Sequence, residues 1–304
     1  MDDLGLLYLT KPPMELPPAL ALLSLGFAFV VGACWGSFLN VVIARVPEGL
    51  SVVHPRSRCP RCGTQIAAHD NLPLLSWLML RGRCRSCSAP ISARYPMIEA
   101  MLGLTGAAVV ARAGWGLESL ELFTLVFLLT AIAFVDLDTW TVPNPLWVSL
   151  VVCGLAFGVA HMLEESSVEA LTHRVIGAAG GGLVLGAVVI AATGIFRRTG
   201  RIGPDETAMG WGDPLILVGI GAFLGWRLLP VVVFLASLQG AVIGVIARAR
   251  GGLKGGTPVS ESDDWTPPPG AVPFGPFLAI GALEAAFFGD ALLSRTLASL
   301  GLGG

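Results

Sequence analysis

The chain has 304 residues, of which 54% are hydrophobic and only 13% are charged, and its formal net charge is −2. Charged residues make up about 25% of an ordinary soluble domain, so this composition argues against a large soluble globular protein. The near-neutral charge and the lack of a basic, aromatic surface pattern argue against nucleic acid as a partner. We therefore predict an all-α polytopic membrane protein.

Eight apolar stretches follow one another along the chain and predict eight transmembrane helices. A helix needs about 20 apolar residues to cross the hydrocarbon core of a bilayer, and the sixth stretch is short for that purpose. The predicted helices are Pro18–Ala44, Pro96–Ala113, Leu117–Val135, Pro143–Leu163, Val175–Phe196, Asp213–Trp226, Leu228–Ala247 and Phe274–Leu297.

Most of the 19 Lys and Arg residues fall in alternate loops, after the first, fifth and seventh predicted helices. Basic residues mark the cytoplasmic face of a membrane protein, so these loops are predicted to be cytoplasmic and both termini to lie on the other side. The basic residues of these loops are Arg45, Arg56, Arg58, Arg61, Arg81, Arg83, Arg85, Arg94, Arg197, Arg198, Arg201, Arg248, Arg250 and Lys254.

The first cytoplasmic loop carries two Cys-x-x-Cys pairs, Cys59/Cys62 and Cys84/Cys87. This spacing is typical of structural zinc sites, because each pair offers two thiolates from one turn and two pairs complete a tetrahedral shell. Two disulfides are the alternative, which a reducing cytoplasmic location opposes, and iron is a weaker option. Flanking arginines are expected to favour the thiolate form.

The residues between the two cysteine pairs, 68–80, are amphipathic but too short to span a membrane. We expect this segment to lie at the membrane surface and to dock the zinc module on the helices. His69 belongs to it and is interpreted as a solvated loop histidine, with a role as ligand or base as the alternative.

Two aspartates, Asp136 and Asp213, lie at the ends of apolar stretches that the basic loops place on the cytoplasmic side. An ionisable residue at a membrane segment suggests a function. Two neighbouring carboxylates form an aspartic dyad when one is ionised and the other keeps its proton. Such a pair can hydrolyse a peptide without a metal. Gly210 and Gly212 are expected to let the backbone turn tightly and approach a substrate chain.

Helix capping is the structural alternative for each aspartate, and Asp213 followed by Pro214 fits a helix N-terminus. Asp138 is the main rival of Asp136, and Asp205 and Glu206 are further candidates. A proton relay in a transporter is a more distant alternative, because the aspartates are expected near the membrane surface and not at its midplane.

Glycines crowd the fifth predicted helix with the spacing Gly-x-x-x-Gly, at Gly177/Gly181 and Gly182/Gly186. This spacing predicts close helix packing. A second cytoplasmic segment, at about 250–272, is rich in Gly and Pro and is expected to be flexible.

Several motifs together make the chain resemble type IV prepilin peptidases, the prepilin leader peptidases/N-methyltransferases with a Gly-x-Gly-Asp motif. The resemblance runs almost end to end. It rests on Gly36-Ser37-Phe38-Leu39-Asn40, the tetracysteine loop from Cys59 to Cys87, Arg94-Tyr95-Pro96 with Glu99, Asp136, Gly210-Trp211-Gly212-Asp213, and Pro273-Phe274-Gly275-Pro276-Phe277.

The resemblance implies a multi-pass aspartic endopeptidase of the bacterial inner membrane, with Asp136 and Asp213 as the catalytic residues. Its substrates would be type IV prepilins or type II secretion pseudopilins, cut on the cytoplasmic side. Many relatives also methylate the new N-terminus with S-adenosylmethionine. The expected division is 1–44, with the first helix; 45–95, the methyltransferase-associated zinc loop; and 96–304, the peptidase core.

The chain departs from the family pattern at Leu215, where relatives often carry Lys, and at Asn144, where many carry Asp. Neither departure removes a catalytic carboxylate. Two alternatives stay open from the sequence. One is a peptidase that no longer methylates, and the other is a non-catalytic, zinc-bearing scaffold of a pilus or type II secretion machine.

Overall fold

The computed structural model describes residues 17–205, 207–249 and 272–299. Nearly all of the predicted flexible segment at about 250–272 and the candidate residue Glu206 therefore lie outside the described residues. Within the described ranges the fold is all-helical, as predicted. Its elements are α1 (Pro18–Arg45), a 3-10 helix (Ala68–Asn71), α2 (Leu75–Met79), α3 (Arg94–Ala113), α4 (Leu117–Thr139), α5 (Asn144–Glu165), α6 (Glu169–Arg198), α7 (Gly212–Leu224), α8 (Leu229–Ala249) and α9 (Gly275–Ser299).

Six of these helices, α1, α3, α4, α5, α6 and α8, are long and apolar enough to cross a membrane, and α7 and α9 contribute shorter apolar segments. The prediction of about eight membrane helices is confirmed. The 13 residues of α7 span about 20 Å at 1.5 Å per residue, less than the ~30 Å of a hydrocarbon core. The short sixth stretch is therefore a genuinely short helix.

Two predicted helix starts were too late. α3 begins at Arg94 and not at Pro96, because proline lacks an N–H and is tolerated in the first turn, where that N–H needs no partner. α6 begins at Glu169 and not at Val175, so its first turns are polar. Arg174, which the sequence placed in a loop, is a buried residue of α6 and donates a hydrogen bond to the Gly154 carbonyl.

The described residues fall into two compact units, and their boundary along the chain lies within α4. One unit ends at Phe127 and the other begins at Leu128. In the first unit α1 packs along α3. A Cβ added at Gly32 would overlap the Leu102 carbonyl, and one at Gly36 would lie 2.6 Å from the Glu99 Cα. Small residues thus let the two backbones approach closely. The sequence analysis overlooked this Gly32/Gly36 pair.

In the second unit α7 is the central helix and contacts α5, α6, α8 and α9. Its residues Ile216, Leu217 and Ile220 are fully buried, as expected of a helix that is apolar on all sides. Burial of α7 holds its first turn, which contains Asp213, in a fixed place.

The predicted glycine packing of α6 is confirmed for one of the two pairs. A Cβ at Gly177 would lie 2.4 Å from the Gly221 carbonyl oxygen, and one at Gly181 would lie 2.5 Å from that of Leu217, so both face the α7 backbone. In the second pair, a Cβ added at Gly182 would meet only the Val218 side chain, and one added at Gly186 would come no closer than 3.9 Å to another residue.

Candidate active site and metal centre

Asp136 lies in the last turn of α4 and is 6% exposed. A carboxylate at this end of a helix faces the negative end of the helix dipole. The position therefore does not stabilise α4, and the capping explanation fails for Asp136. Its rival Asp138 is exposed at the surface of the same turn, as is Asp205 in the loop before α7.

Asp213 is the second residue of α7 and is partly buried. The N-cap residue of α7 is Trp211, and no side chain makes a capping hydrogen bond at this helix start. The capping explanation for Asp213 is therefore not supported. Asp213 is close enough to Asp136 for its charge to act on the Asp136 carboxylate. The structure thus brings together the two aspartates that the sequence analysis paired.

A third element holds the Asp136 carboxylate. The backbone N–H of Gly275, the first residue of α9, donates a hydrogen bond of 3.1 Å to Oδ2 of Asp136. A Cβ at residue 275 would lie 2.4 Å from that oxygen, so only glycine allows this approach. The sequence analysis noted Gly275 only as part of a family motif. A glycine at the start of a membrane helix, after Pro273 and Phe274, was the available signal.

Gly210 and Gly212 do not adopt the left-handed backbone conformation that requires glycine. A Cβ added at Gly212 would lie 2.8 Å from Cγ2 of Val142, so this glycine permits close packing, whereas a Cβ added at Gly210 would lie 3.9 Å from its nearest neighbour, the Gly212 nitrogen. Their predicted role in approaching a substrate stays a prediction. Of the two departures from the family pattern, Asn144 begins α5 and accepts a hydrogen bond from Nε1 of Trp147. Leu215 is partly buried in the first turn of α7.

The four predicted ligands, Cys59, Cys62, Cys84 and Cys87, form a cluster in which all sulfurs lie within 4.8 Å of one another. The sulfurs of Cys59 and Cys87 are 3.8 Å apart, and all four cysteines are free. Sulfurs bound to one tetrahedral zinc at about 2.3 Å are roughly 3.8 Å apart, whereas a disulfide bond is about 2.05 Å long. The cluster therefore fits a metal ion and does not support the disulfide alternative.

The two cysteine pairs sit on turns of the same design. In the first turn Gly63 donates its N–H to the Cys59 carbonyl, and in the second Ser88 donates to Cys84. Gly63 and Ser88 both have positive φ, at 69° and 57°. An antiparallel bridge flanks each turn, Arg58 with Gln65 and Arg83 with Pro90. The chain thus builds two equivalent metal-binding knuckles.

Hydrogen bonds set the charge of the thiols. Hydrogen bonds with the side chain and the backbone of Thr64 lower the pKa of Cys62 to about 6, which favours the thiolate form of this sulfur. The pKa of Cys87 rises to about 11. The Ala89 N–H acts to lower it, but burial and the neighbouring sulfurs outweigh that hydrogen bond. A full set of four thiolates therefore requires a cation among them.

The flanking arginines are not the cause of these shifts, contrary to expectation. Arg85 instead forms a two-pronged ion pair with Asp70, at 2.8 and 2.6 Å, which holds the pKa of Asp70 below its usual range. His69 is 69% exposed and lies outside the cysteine cluster, in agreement with its interpretation as a solvated histidine.

Comparisons with known proteins cover both regions of the chain. Residues 30–113 match the bacterial peptidase A24 N-terminal domain, and residues 123–245 match the type IV leader peptidase family. No solved structure matches the chain.

Relatives called prepilin leader peptidase/N-methyltransferase cover nearly the whole chain. The protein of Myxococcus xanthus (strain DK1622) is 37% identical over 321 residues, 89% of this chain and 92% of the relative. That of Aeromonas hydrophila is 36% identical, covering 92% and 96%, and that of Pseudomonas putida is 34% identical, covering 90% and 94%. The chain therefore belongs to the prepilin leader peptidase/N-methyltransferase family.

Proposed function

We propose that the protein is a membrane aspartic endopeptidase that removes the leader peptide of type IV prepilins or pseudopilins and then methylates the new N-terminal amine. The observation that carries the peptidase assignment is the buried Asp136 carboxylate, which is within reach of the charge of Asp213 and accepts a hydrogen bond from Gly275. Burial of a carboxylate that stabilises no helix is costly, and catalysis gives a reason to retain it.

The two carboxylates share the chemistry of peptide hydrolysis. One accepts a proton from water, whose oxygen attacks the scissile carbonyl carbon, while the other gives its proton to the carbonyl oxygen. The C–N bond then breaks as the leaving amine takes the proton that the first carboxylate accepted from water, and the second carboxylate regains its proton from a hydroxyl of the intermediate. Because the Gly275 N–H donates to Oδ2 of Asp136, proton exchange on this residue falls to Oδ1.

We assign zinc to the cysteine cluster, with Cys59, Cys62, Cys84 and Cys87 as its four ligands. A closed shell of four thiolates leaves no position for water, so the metal orders its loop and takes no part in hydrolysis. The segment 45–95 serves the methylation step, for which S-adenosylmethionine supplies the methyl group, and 96–304 contains the peptidase core. We infer that the protein lies in the bacterial inner membrane with its active site facing the cytoplasm, and the basic loops support this orientation.

The peptidase assignment is tested by cleavage of a prepilin with an intact leader. Wild type, Asp136→Asn, Asp213→Asn and Asp138→Asn are purified in detergent and assayed for released leader. We expect Asp136→Asn and Asp213→Asn each to lose at least about 10²-fold in rate, the usual worth of a positioned acid or base. Asp138→Asn, the matched control on the same turn, retains activity. Normal cleavage by either of the first two variants would remove that residue from the mechanism.

The scaffold alternative is not favoured, because it gives no reason for the burial of Asp136 or for the glycine at its contact. Stable association with pilus or secretion components, with no processing of any prepilin by the wild type, is the result that would restore it.

A further inference from the structure

A buried polar junction lies where α1, α3 and the loop between them meet, within the unit that ends at Phe127. Its members are Ser37 and Asn40 of α1, Glu99 of α3 and the backbone of Leu74 just before α2. Glu99 is 8% exposed and Asn40 is 9% exposed. None of these side chains belongs to the aspartic pair or to the cysteine cluster. Buried polar groups of this kind are kept where they hold a particular arrangement.

The Glu99 carboxylate is the centre of the junction. Its Oε2 accepts a hydrogen bond of 2.8 Å from the Leu74 N–H, and Ser37 also hydrogen-bonds to Glu99 through its side chain. Asn40 links the same two helices by donating to the Tyr95 carbonyl at 3.2 Å. Together with the close approach at Gly36, these contacts explain why the motif Gly36-Ser37-Phe38-Leu39-Asn40 has its glycine, serine and asparagine.

Leu74 has a strained backbone, and Glu99 holds it. Its φ of 61° is unusual for a residue with a bulky side chain. Leu75 closes a three-residue turn around it by donating to the Pro73 carbonyl at 2.6 Å. A strained conformation persists only where its surroundings fix it, and here the bond from the Leu74 N–H to Glu99 does so. The direction in which α2 leaves this turn therefore depends on Glu99.

Further contacts run from α2 to the second metal-binding knuckle. Trp77 of α2 donates its Nε1–H to the Ile91 carbonyl at 3.2 Å, and the Gly82 N–H donates to the Trp77 carbonyl at 2.9 Å. Ile91 also donates to the Gly82 carbonyl at 2.7 Å. Gly82 and Ile91 flank Cys84–Cys87 in the chain, so these hydrogen bonds hold that knuckle in a fixed position relative to α2.

We propose that Glu99 is a positioning residue for methyl transfer, which holds the cysteine module at the end of the α1–α3 pair through the Leu74 turn. The inference rests on the proposed methylation by this module. Glu99 acts as a hydrogen-bond acceptor and neither gives nor takes a proton in the reaction. Peptide cleavage, which uses Asp136 and Asp213, does not depend on it.

The test compares Glu99→Ala, which removes the acceptor, with Glu99→Gln, whose amide oxygen still accepts from Leu74. Glu48→Ala, at an exposed glutamate, is the control. Cleavage and methylation of one prepilin are read by intact mass, and hydrogen exchange of the 74–79 amides is read in the same preparations. We expect Glu99→Ala to methylate at least about tenfold more slowly and to exchange faster at Leu74. Glu99→Gln and the control should remain within about threefold of wild type, and all variants should cleave.

Three results would overturn the proposal. The first is methylation by Glu99→Ala at the wild-type rate. The second is failure of Glu99→Gln as complete as that of Glu99→Ala, which would assign the carboxylate a proton-transfer role. The third is exchange of the wild-type Leu74 amide as fast as that of an unprotected amide. The exchange measurement needs no enzymatic activity, so it tests the junction even if the wild type does not methylate. It also decides the matter if Glu99→Ala does not fold, because protection of the Leu74 amide is measured in the wild type itself.

Discussion

The cysteine cluster and the aspartic pair are built in opposite ways. The cluster comes from two short turns, each closed by its own backbone hydrogen bonds, and all its ligands lie between Cys59 and Cys87. The aspartic pair and its backbone contact come from three helices that are far apart in the chain. Asp136 is on α4, Asp213 is on α7, and the donor Gly275 is on α9. The first site is encoded locally, and the second depends on how helices pack.

This difference predicts different sensitivities. A local metal site should lose its order when one ligand is lost, because metal binding and folding of such a loop are coupled. A site made from packed helices should respond to small changes in volume at the helix contacts, since packed interiors transmit strain. Three substitutions sharpen this comparison, and each has a control in the same region.

The largest effect is expected for Cys84→Ser, which removes one of four sulfur ligands. Metal affinity should fall by more than about 10²-fold, because even the outer partners of metal ligands are worth 10–100-fold. Metal content of the purified protein and protease sensitivity of the 45–95 segment are the measurements. Cys34→Ser, at an exposed cysteine of α1, is the control. Unchanged metal content and loop sensitivity in Cys84→Ser would show that Cys84 is not a ligand.

A smaller but specific effect is expected for Gly275→Ala. The added Cβ would lie 2.4 Å from Oδ2 of Asp136 and must displace either the carboxylate or the start of α9. Overpacking of this kind costs about 1–3 kcal/mol, which is equivalent to roughly 5- to 150-fold in cleavage rate if it is felt in the transition state. Metal content should not change.

The control for this position is Gly244→Ala in α8, where an added Cβ meets no atom within 4 Å. It should cleave as wild type does. Equal cleavage by Gly275→Ala and wild type would mean that the contact between Gly275 and Asp136 does not position the carboxylate for catalysis.

The smallest effect on activity is expected for glycines of α6, where only helix packing is at stake. Gly177→Ala would place a Cβ 2.4 Å from the Gly221 carbonyl oxygen, and we expect about 1–3 kcal/mol of destabilisation. Gly180→Ala meets nothing within 4 Å and should be neutral or stabilising by up to about 1 kcal/mol, since alanine favours the helix. Thermal unfolding in detergent measures both, and equal shifts would contradict the packing of α6 on α7.

The sequence predicted the features that depend on residues close together in the chain. Apolar stretches identified the membrane helices, and the spacing of Cys59, Cys62, Cys84 and Cys87 identified the metal cluster, because each signal lies within one short segment of the chain. Charge distribution and motif order also paired Asp136 with Asp213. The preference of Asp136 over Asp138 gained physical support only from the structure, in which the first is buried and the second exposed.

The sequence did not predict the contacts between residues that are far apart in the chain. The bond from Gly275 to Asp136 joins residues 139 positions apart, and the link from Leu74 to Glu99 depends on a turn conformation that leucine rarely adopts. The predicted fifth helix began at Val175 and left out Arg174, whereas the structure includes Arg174 in α6 and buries it where it donates to the Gly154 carbonyl. Buried polar residues of this kind are satisfied by partners that only the fold supplies.

The central claim is that two separate sites carry two separate steps, and one mass measurement tests it most directly. A prepilin with an intact leader is incubated with S-adenosylmethionine and with wild type, Asp213→Asn or Cys84→Ser, and the intact product masses are read. The account predicts a cleaved and methylated product with wild type, uncleaved prepilin with Asp213→Asn, and a cleaved but unmethylated product with Cys84→Ser. A cleaved product from Asp213→Asn, or a fully methylated one from Cys84→Ser, would contradict it.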